Sequence, residues 1–152
     1  MNYEIVELEE KMVAGLKIRT SNSDPDMGKS INDLWQGFYV NGVYQSILNK
    51  QNDKSIGLYT NYESDVTGAY DAMVGCEIQN LSEFPKDVLI QTIPAGKYAK
   101  FIVIGDMHTA AGEFWAKLWA MNLDRKYSCD YEEYQSGCDT EHVEIHMYIS
   151  VN

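Results

Sequence analysis

The chain has 152 residues, enough to bury a core without disulfide or metal staples. Its 23 acidic and 12 basic residues give a formal net charge of −11, and Lys and Arg form no patch of the kind a nucleic acid requires. No apolar run approaches a membrane span, and the acidic start MNYEIVELEE lacks the pattern of a signal peptide. A cytoplasmic location is therefore expected, with neither nucleic acid nor membrane as a direct partner. Cys76, Cys129 and Cys138 are odd in number and show no C-x-x-C spacing. Reduced thiols are expected, although Cys129 and Cys138 flank one turn.

Taken in order, residues 3–9 and 11–19 predict strands, with Gly15 interrupting the second as at a bulge. The stretch SNSDPDMG breaks structure, and Ser30 reads as the cap of a helix. In that helix Ile31, Leu34, Trp35 and Phe38 recur at spacings of three and four. After a polar loop at 49–55, strands are predicted near 56–62 and 70–78, around a turn from Asp65 to Gly68. The connection NLSEFPKD is too short and too unlike a flexible linker to separate independent domains. Strands near 87–93 and 97–104 flank Pro94 to Gly96, and residues 109–121 predict a second helix carrying Trp115 and Trp119.

The run from Ser128 to Val151 closes the chain as two strands joined by a Gly-containing turn. Val143, Ile145, Met147, Ile149 and Val151 fall on one face; His142, Glu144, His146, Tyr148 and Ser150 fall on the other. A strand pair, a Trp-centred helix and a Tyr-x-x-Tyr segment followed by a strand occur twice. The chain thus reads as one domain over 1–152 built from a duplicated ββαββ unit, approximately 1–80 and 85–152. Tyr59 and Tyr62 are expected to superpose on Tyr131 and Tyr134.

His142 and His146 do not form a metal pair, because four residues along a strand span roughly 13 Å and zinc ligands lie about 2 Å from one ion. There is no phosphate loop and no nucleophile elbow, so no cofactor is expected. Glu132 and Glu133 are adjacent in a strand and point to opposite faces, one toward solvent and one toward the interior or a groove. An acid in an aromatic recess has a raised pKa unless a cation arrives, which makes it a receptor for one. Neighbouring rings add about 0.5–2 kcal/mol each by cation–π contact. The competing reading is a Glu held by a Tyr hydroxyl for structure alone.

The segments INDLWQGF, GLYTNYESDVTGAYDAMVG, IPAGKYAKFIVIG and YEEY…VEIHMYISV resemble the GyrI-like small-molecule-binding domain, the effector domain of many AraC-type and MerR-type regulators. The resemblance covers nearly the whole chain. It implies an α+β fold of two pseudo-twofold-related SH2-like halves, with antiparallel sheets and two long helices around a central groove. It implies further that Glu132, in a [FY]-E-x-Y motif with Tyr134, meets cationic ligands at the base of the groove. Trp35, Phe38, Tyr59, Tyr98, Trp115 and Trp119 become candidate aromatics, with Glu144 and His146 beside them. No helix-turn-helix fits in the chain. The function implied is a stand-alone binding module for amphipathic, cationic small molecules, sensing or sequestering drugs and xenobiotics, with a separate regulator as protein partner. Two alternatives stand beside it. One is a hydrolase of strained electrophiles with Glu132 as general base and Tyr134 or a Trp orienting substrate. The other is an acidic, DNA-mimicking inhibitor of gyrase.

Overall fold

The alternation at the end of the chain sets the layering of the molecule. Ile145, Met147 and Ile149 are completely buried beneath a helix, while Tyr148 enters a separate core on the opposite side of the same strand. The computed structural model describes residues 1–65, 67–81, 84–107, 109–135 and 141–152. In chain order the elements are β1 (Glu4–Leu8), β2 (Lys11–Ser21), α1 (Met27–Val40), α2 (Val43–Ser46), β3 (Ser55–Thr60) and β4 (Ala69–Glu77). They continue with β5 (Leu89–Ile93), β6 (Gly96–Gly105), α3 (Ala110–Trp119), β7 (Cys129–Tyr134) and β8 (Val143–Ser150).

Each predicted strand and helix has its counterpart, and α2 is an unforeseen single turn. Two local expectations are corrected. Helix α1 begins at Met27, a turn earlier than a cap at Ser30 would allow. Asp24 receives the Asp26 N–H at 2.8 Å on its side chain and the Met27 N–H at 3.1 Å on its carbonyl, so the turn winds directly into the helix. Pro25, with its fixed φ, suits that entry. Gly15 marks no bulge either, since β2 pairs with β4 without interruption from Val13↔Glu77 to Ser21↔Ala69. Gly15 faces Gly75 because the backbones come too close for a side chain. A Cβ on Gly15 would lie 2.0 Å from the Val74 carbonyl oxygen, and one on Gly75 would lie 2.4 Å from that of Ala14.

The strands form one antiparallel sheet in the order β1-β6-β8-β7-β3-β4-β2-β5. The order is symmetric about the β7–β3 seam, and each ββαββ unit lends its first strand to the other's edge, β1 to β6 and β5 to β2. Helix α1 covers β2 and β4 through Leu34, Phe38, Ala14 and Val74, while α3 covers β6 and β8 through Phe114, Leu118, Phe101 and Met147. Among the described residues no helix contributes to the core on the far side. There Val13, Ile93, Tyr98, Leu58, Tyr131 and Tyr148 share a single cluster, with Val6 and Leu8 of β1 packed against it. Residues from both edges meet residues from the middle of an eight-stranded sheet only if the sheet curls over on itself.

The seam register corrects the expected superposition of the tyrosines. Gly57 faces Glu132, Leu58 faces Tyr131, and Ser55 faces Tyr134. Tyr131 therefore points to the far core, whereas Tyr59 and Tyr134 point to the helix side. Residues three apart in a strand lie on opposite faces, so the shared Tyr-x-x-Tyr spacing does not mark equivalent positions. A two-fold through the Gly57–Glu132 pair carries Tyr59 onto Tyr134.

Because the nearest atoms obstructing a Cβ at Gly15 or Gly75 belong to backbone, they cannot turn aside. Gly75→Ala is expected to cost at least about 2 kcal/mol and to lower Tm by several degrees. Urea unfolding of the variant against the parent chain checks this.

Candidate ligand site

At the seam, period-two alternation turns Glu132 to the helix side, where α1 and α3 each lay a Trp over it. The residue is 2 % exposed. The Trp115 Nε1–H donates to its Oε2 at 2.6 Å, the Tyr59 hydroxyl donates to the same oxygen at 3.3 Å, and the Tyr134 hydroxyl donates to Oε1 at 3.0 Å. Trp115 meets the Tyr59 ring edge-on with centroids 5.3 Å apart; Trp35 meets Tyr134 edge-on at 5.0 Å. These are two-fold copies of one Tyr–Trp pair, and the acid lies between them. Gly57 makes the space: a Cβ there would stand 2.8 Å from Glu132 Oε1 and 3.2 Å from the Trp35 ring.

Burial pushes the Glu132 carboxyl above its ordinary value, and the three hydrogen bonds only partly offset that shift. Burial, followed by the Glu132 charge, holds the Tyr59 and Tyr134 phenols well above theirs, so both remain donors. The decisive feature is what Glu132 lacks. Among the described residues four acids are buried, and three of them have a basic partner. Asp71 has Lys17 at 3.3 Å and Arg19 at 3.2 Å, Asp130 has Arg125 at 2.7 Å, and Glu133 has Lys54 at 3.6 Å. Among the described residues Glu132 has donors but no cation. Glu133, expected toward solvent if Glu132 turned inward, is only 6 % exposed and also bonds Gln135.

Outside Glu132 lies a recess of about 100 Å³, the volume of a few waters. Tyr59 and Trp115 form the wall between recess and acid, and Glu132 itself does not line it. Met27 and Ile31 of α1 face Trp119 of α3 at the mouth, and Trp119 is 50 % exposed. Tyr62, Tyr70 and Arg125 complete the inner end with Asn22. On the two-fold-related side, Tyr39 stacks on Trp35 at 6.3 Å and its hydroxyl bonds Ser55, which closes that half.

The structure thus brings Glu132, Tyr134, Trp35, Tyr59, Trp115 and Trp119 together and separates the other four candidates from them. Phe38 is a fully buried core residue beneath α1, set edge-on to Tyr39 and Tyr44. Tyr98 lies in the far core against Tyr131, with its hydroxyl on the Pro94 carbonyl at 2.7 Å. Glu144 and His146 bond each other at 2.7 Å on the sheet face away from the helices. Their period in β8 fixes that orientation. Among the described residues no cluster of three or more His, Cys, Asp or Glu could hold a metal. Cys76 and Cys129 are free and buried, and Cys138 lies outside the described residues.

Sequence reasoning missed Asp130, Arg125, Tyr62 and Tyr70. Asp130 is completely buried and accepts from Tyr62 at 2.6 Å, Arg125 at 2.7 Å, the Ser150 N–H at 2.8 Å and the Ser150 hydroxyl at 3.1 Å. Two residues from Glu132, it shares that residue's face, and the strand period could have found it. Arg125 comes from the loop before β7, where no periodic signal exists.

A curled antiparallel sheet with two helices on one face, enclosing a buried acid between paired aromatics, is the effector-binding fold of the GyrI-like class. The chain belongs to the Cass2 family of integron-associated effector-binding proteins, whose model matches residues 4–151. An integron cassette protein from the mobile metagenome of Vibrio cholerae is 32% identical, with 97% of this chain and 95% of that one covered and a TM-score of 0.75. SAV2435, solved bound to tetraphenylphosphonium, shares the fold with a TM-score of 0.78 at 22% identity, covering 99% of this chain and 94% of that one. YobU of Bacillus subtilis (strain 168), a candidate transcriptional regulator protein, is 28% identical over 155 residues, 97% of this chain and 96% of its own length. No helix among the described residues is long and apolar enough to cross a membrane.

The raised pKa fixes the sign of a stability test. Between the ordinary carboxylate value of 4.5 and the higher folded value, the folded chain keeps a proton that the unfolded chain has released. The stability linked to this group is present below 4.5 and declines as pH rises through the folded pKa. Glu132→Gln keeps the shape and removes the charge, so the variant should equal or exceed the parent in stability at pH 7. The difference should shrink as pH falls toward 4.5, as urea titrations across that range would register.

Proposed function

We propose that this chain binds amphipathic, cationic small molecules, with the Glu132 carboxylate as their counter-charge. The observation that carries the reading is the uncompensated acid: of the buried carboxylates described, Glu132 alone lacks a basic partner, and its donors all belong to aromatic side chains. An arriving cation supplies the missing charge and gains ring faces as well. The net charge of −11 attracts such ligands from a distance. Binding of tetraphenylphosphonium by SAV2435, a protein of the same fold, accords with this chemistry.

Entry is through the recess between α1 and α3, and the ligand displaces the Trp115 indole from Glu132 to reach the acid. Trp119, half exposed at the mouth, provides the outer ring face. Three donors already occupy both oxygens of Glu132, which favours reception of charge over activation of a water. The relation to YobU favours a sensing role coupled to a transcription regulator.

Tetraphenylphosphonium should quench Trp fluorescence and bind stoichiometrically by calorimetry. Glu132→Gln should weaken it by about 1–3 kcal/mol, the range for contacts to a charged group, while Glu133→Gln changes little. Affinity should fall as pH drops through the raised Glu132 pKa, because the protonated acid offers no counter-charge. Equal affinity in the two Gln variants would defeat the assignment.

A further inference from the structure

The inner end of the recess carries a second polar group that the cation reading leaves unused. Arg125 lines the recess, and its side chain is only 6 % exposed. The guanidinium lies over the Tyr127 ring at 4.4 Å and 6.0 Å from that of Trp115. Its Nη2 is committed to Asp130. Its Nε is buried and has no hydrogen-bond partner among the described residues. A buried donor without an acceptor is costly, so one kept in a folded protein calls for an explanation, and a ligand acceptor is one.

Other polar groups around this end are engaged with one another. The Tyr62 hydroxyl donates to Asp130, the Tyr70 hydroxyl to Asn22, and the Tyr59 hydroxyl to Glu132.

We propose that Arg125 accepts into the recess a ligand oxygen that receives a hydrogen bond, so the site takes a bipolar molecule. Its cationic, aromatic part meets Glu132, Tyr59 and the Trp residues of α3, and its carbonyl or carboxylate oxygen meets Arg125. The inference rests on the Glu132 reading for the cationic end alone. Asp130 already balances the Arg125 charge, so a neutral carbonyl serves as well as a carboxylate.

Two dyes with the same xanthylium cation separate the ends: tetramethylrosamine, which has no carbonyl, and tetramethylrhodamine methyl ester, which adds one. By fluorescence polarisation the ester should bind the parent chain about fivefold more tightly, the scale of one net hydrogen bond. In Arg125→Lys, which keeps the charge opposite Asp130 and loses the fork, the ratio should fall to about one. In Glu132→Gln both dyes should weaken together and the ratio should persist. Should Arg125→Lys fail to fold, the double variant Arg125→Met with Asp130→Asn removes both buried charges and should give the same ratio. Equal affinity of the two dyes for the parent chain, with both still weakened by Glu132→Gln, overturns the role of Arg125 and leaves the Glu132 reading intact. A ratio that survives the loss of Arg125 overturns it too. Dyes that Glu132→Gln leaves untouched overturn the Glu132 reading, and the bipolar ligand falls with it.

Discussion

A carboxylate buried at the middle of a sheet without a basic partner is the constraint around which this molecule is arranged. Burying a lone charge in an apolar medium is costly enough that proteins pair it or let it take up a proton. Here Glu132 is moderated by three aromatic hydrogen bonds, which need a Trp from α3, a Tyr from β3 and a Tyr from β7 in register. The seam must pair antiparallel with Gly57 opposite the acid, since any larger residue would meet both the carboxylate and Trp35. Seam register, helix placement and the glycine follow from one chemical problem.

The same face holds a second acid, Asp130, roughly 7 Å along the strand. Its role can be read from its partners. It takes Arg125 on one oxygen and the Ser150 N–H and hydroxyl on the other, so the nearby guanidinium is held away from Glu132. An Arg125 that reached Glu132 would compensate it internally. Pairing one acid fully keeps the other unpaired. The two halves also differ in how they are filled. Tyr39 closes the Trp35 side through Ser55, whereas the Trp115 side keeps a recess with Trp119 exposed at its mouth. A symmetric frame therefore carries its recess on one side.

Most of the frame was legible in the sequence because it rests on periodicity. The strand alternation in 143–151 and the helical stripe of Leu34 and Phe38 are burial patterns, and burial is what the structure realises. Periodicity reads a face correctly but not which faces are equivalent. The repeated Tyr-x-x-Tyr joined Tyr59 to Tyr131, while the face that each occupies joins Tyr59 to Tyr134. Phe38 and Tyr98 show the same limit, since an aromatic on a buried face is core unless something keeps the space beside it open. Arg125 was invisible because its position depends on the loop before β7 and on an ion pair with a residue that the pattern did not single out.

The glycines and the acids bear on stability in opposite ways, and the difference points to the candidate site. Gly15 and Gly75 let two backbones approach closely, which the strand pairing at that point requires. Gly57 makes room instead for a group that weakens the fold when ionised. A sheet selected for stability alone would place an apolar residue at position 132 and a β-branched one at position 57, as the far face does with Ile56 and Leu58. The helix side of the same two strands departs from that rule at the one pair lying on the two-fold. Residues that break a local rule without a structural gain are the ones expected at functional sites, and the Gly57–Glu132 pair is the candidate here.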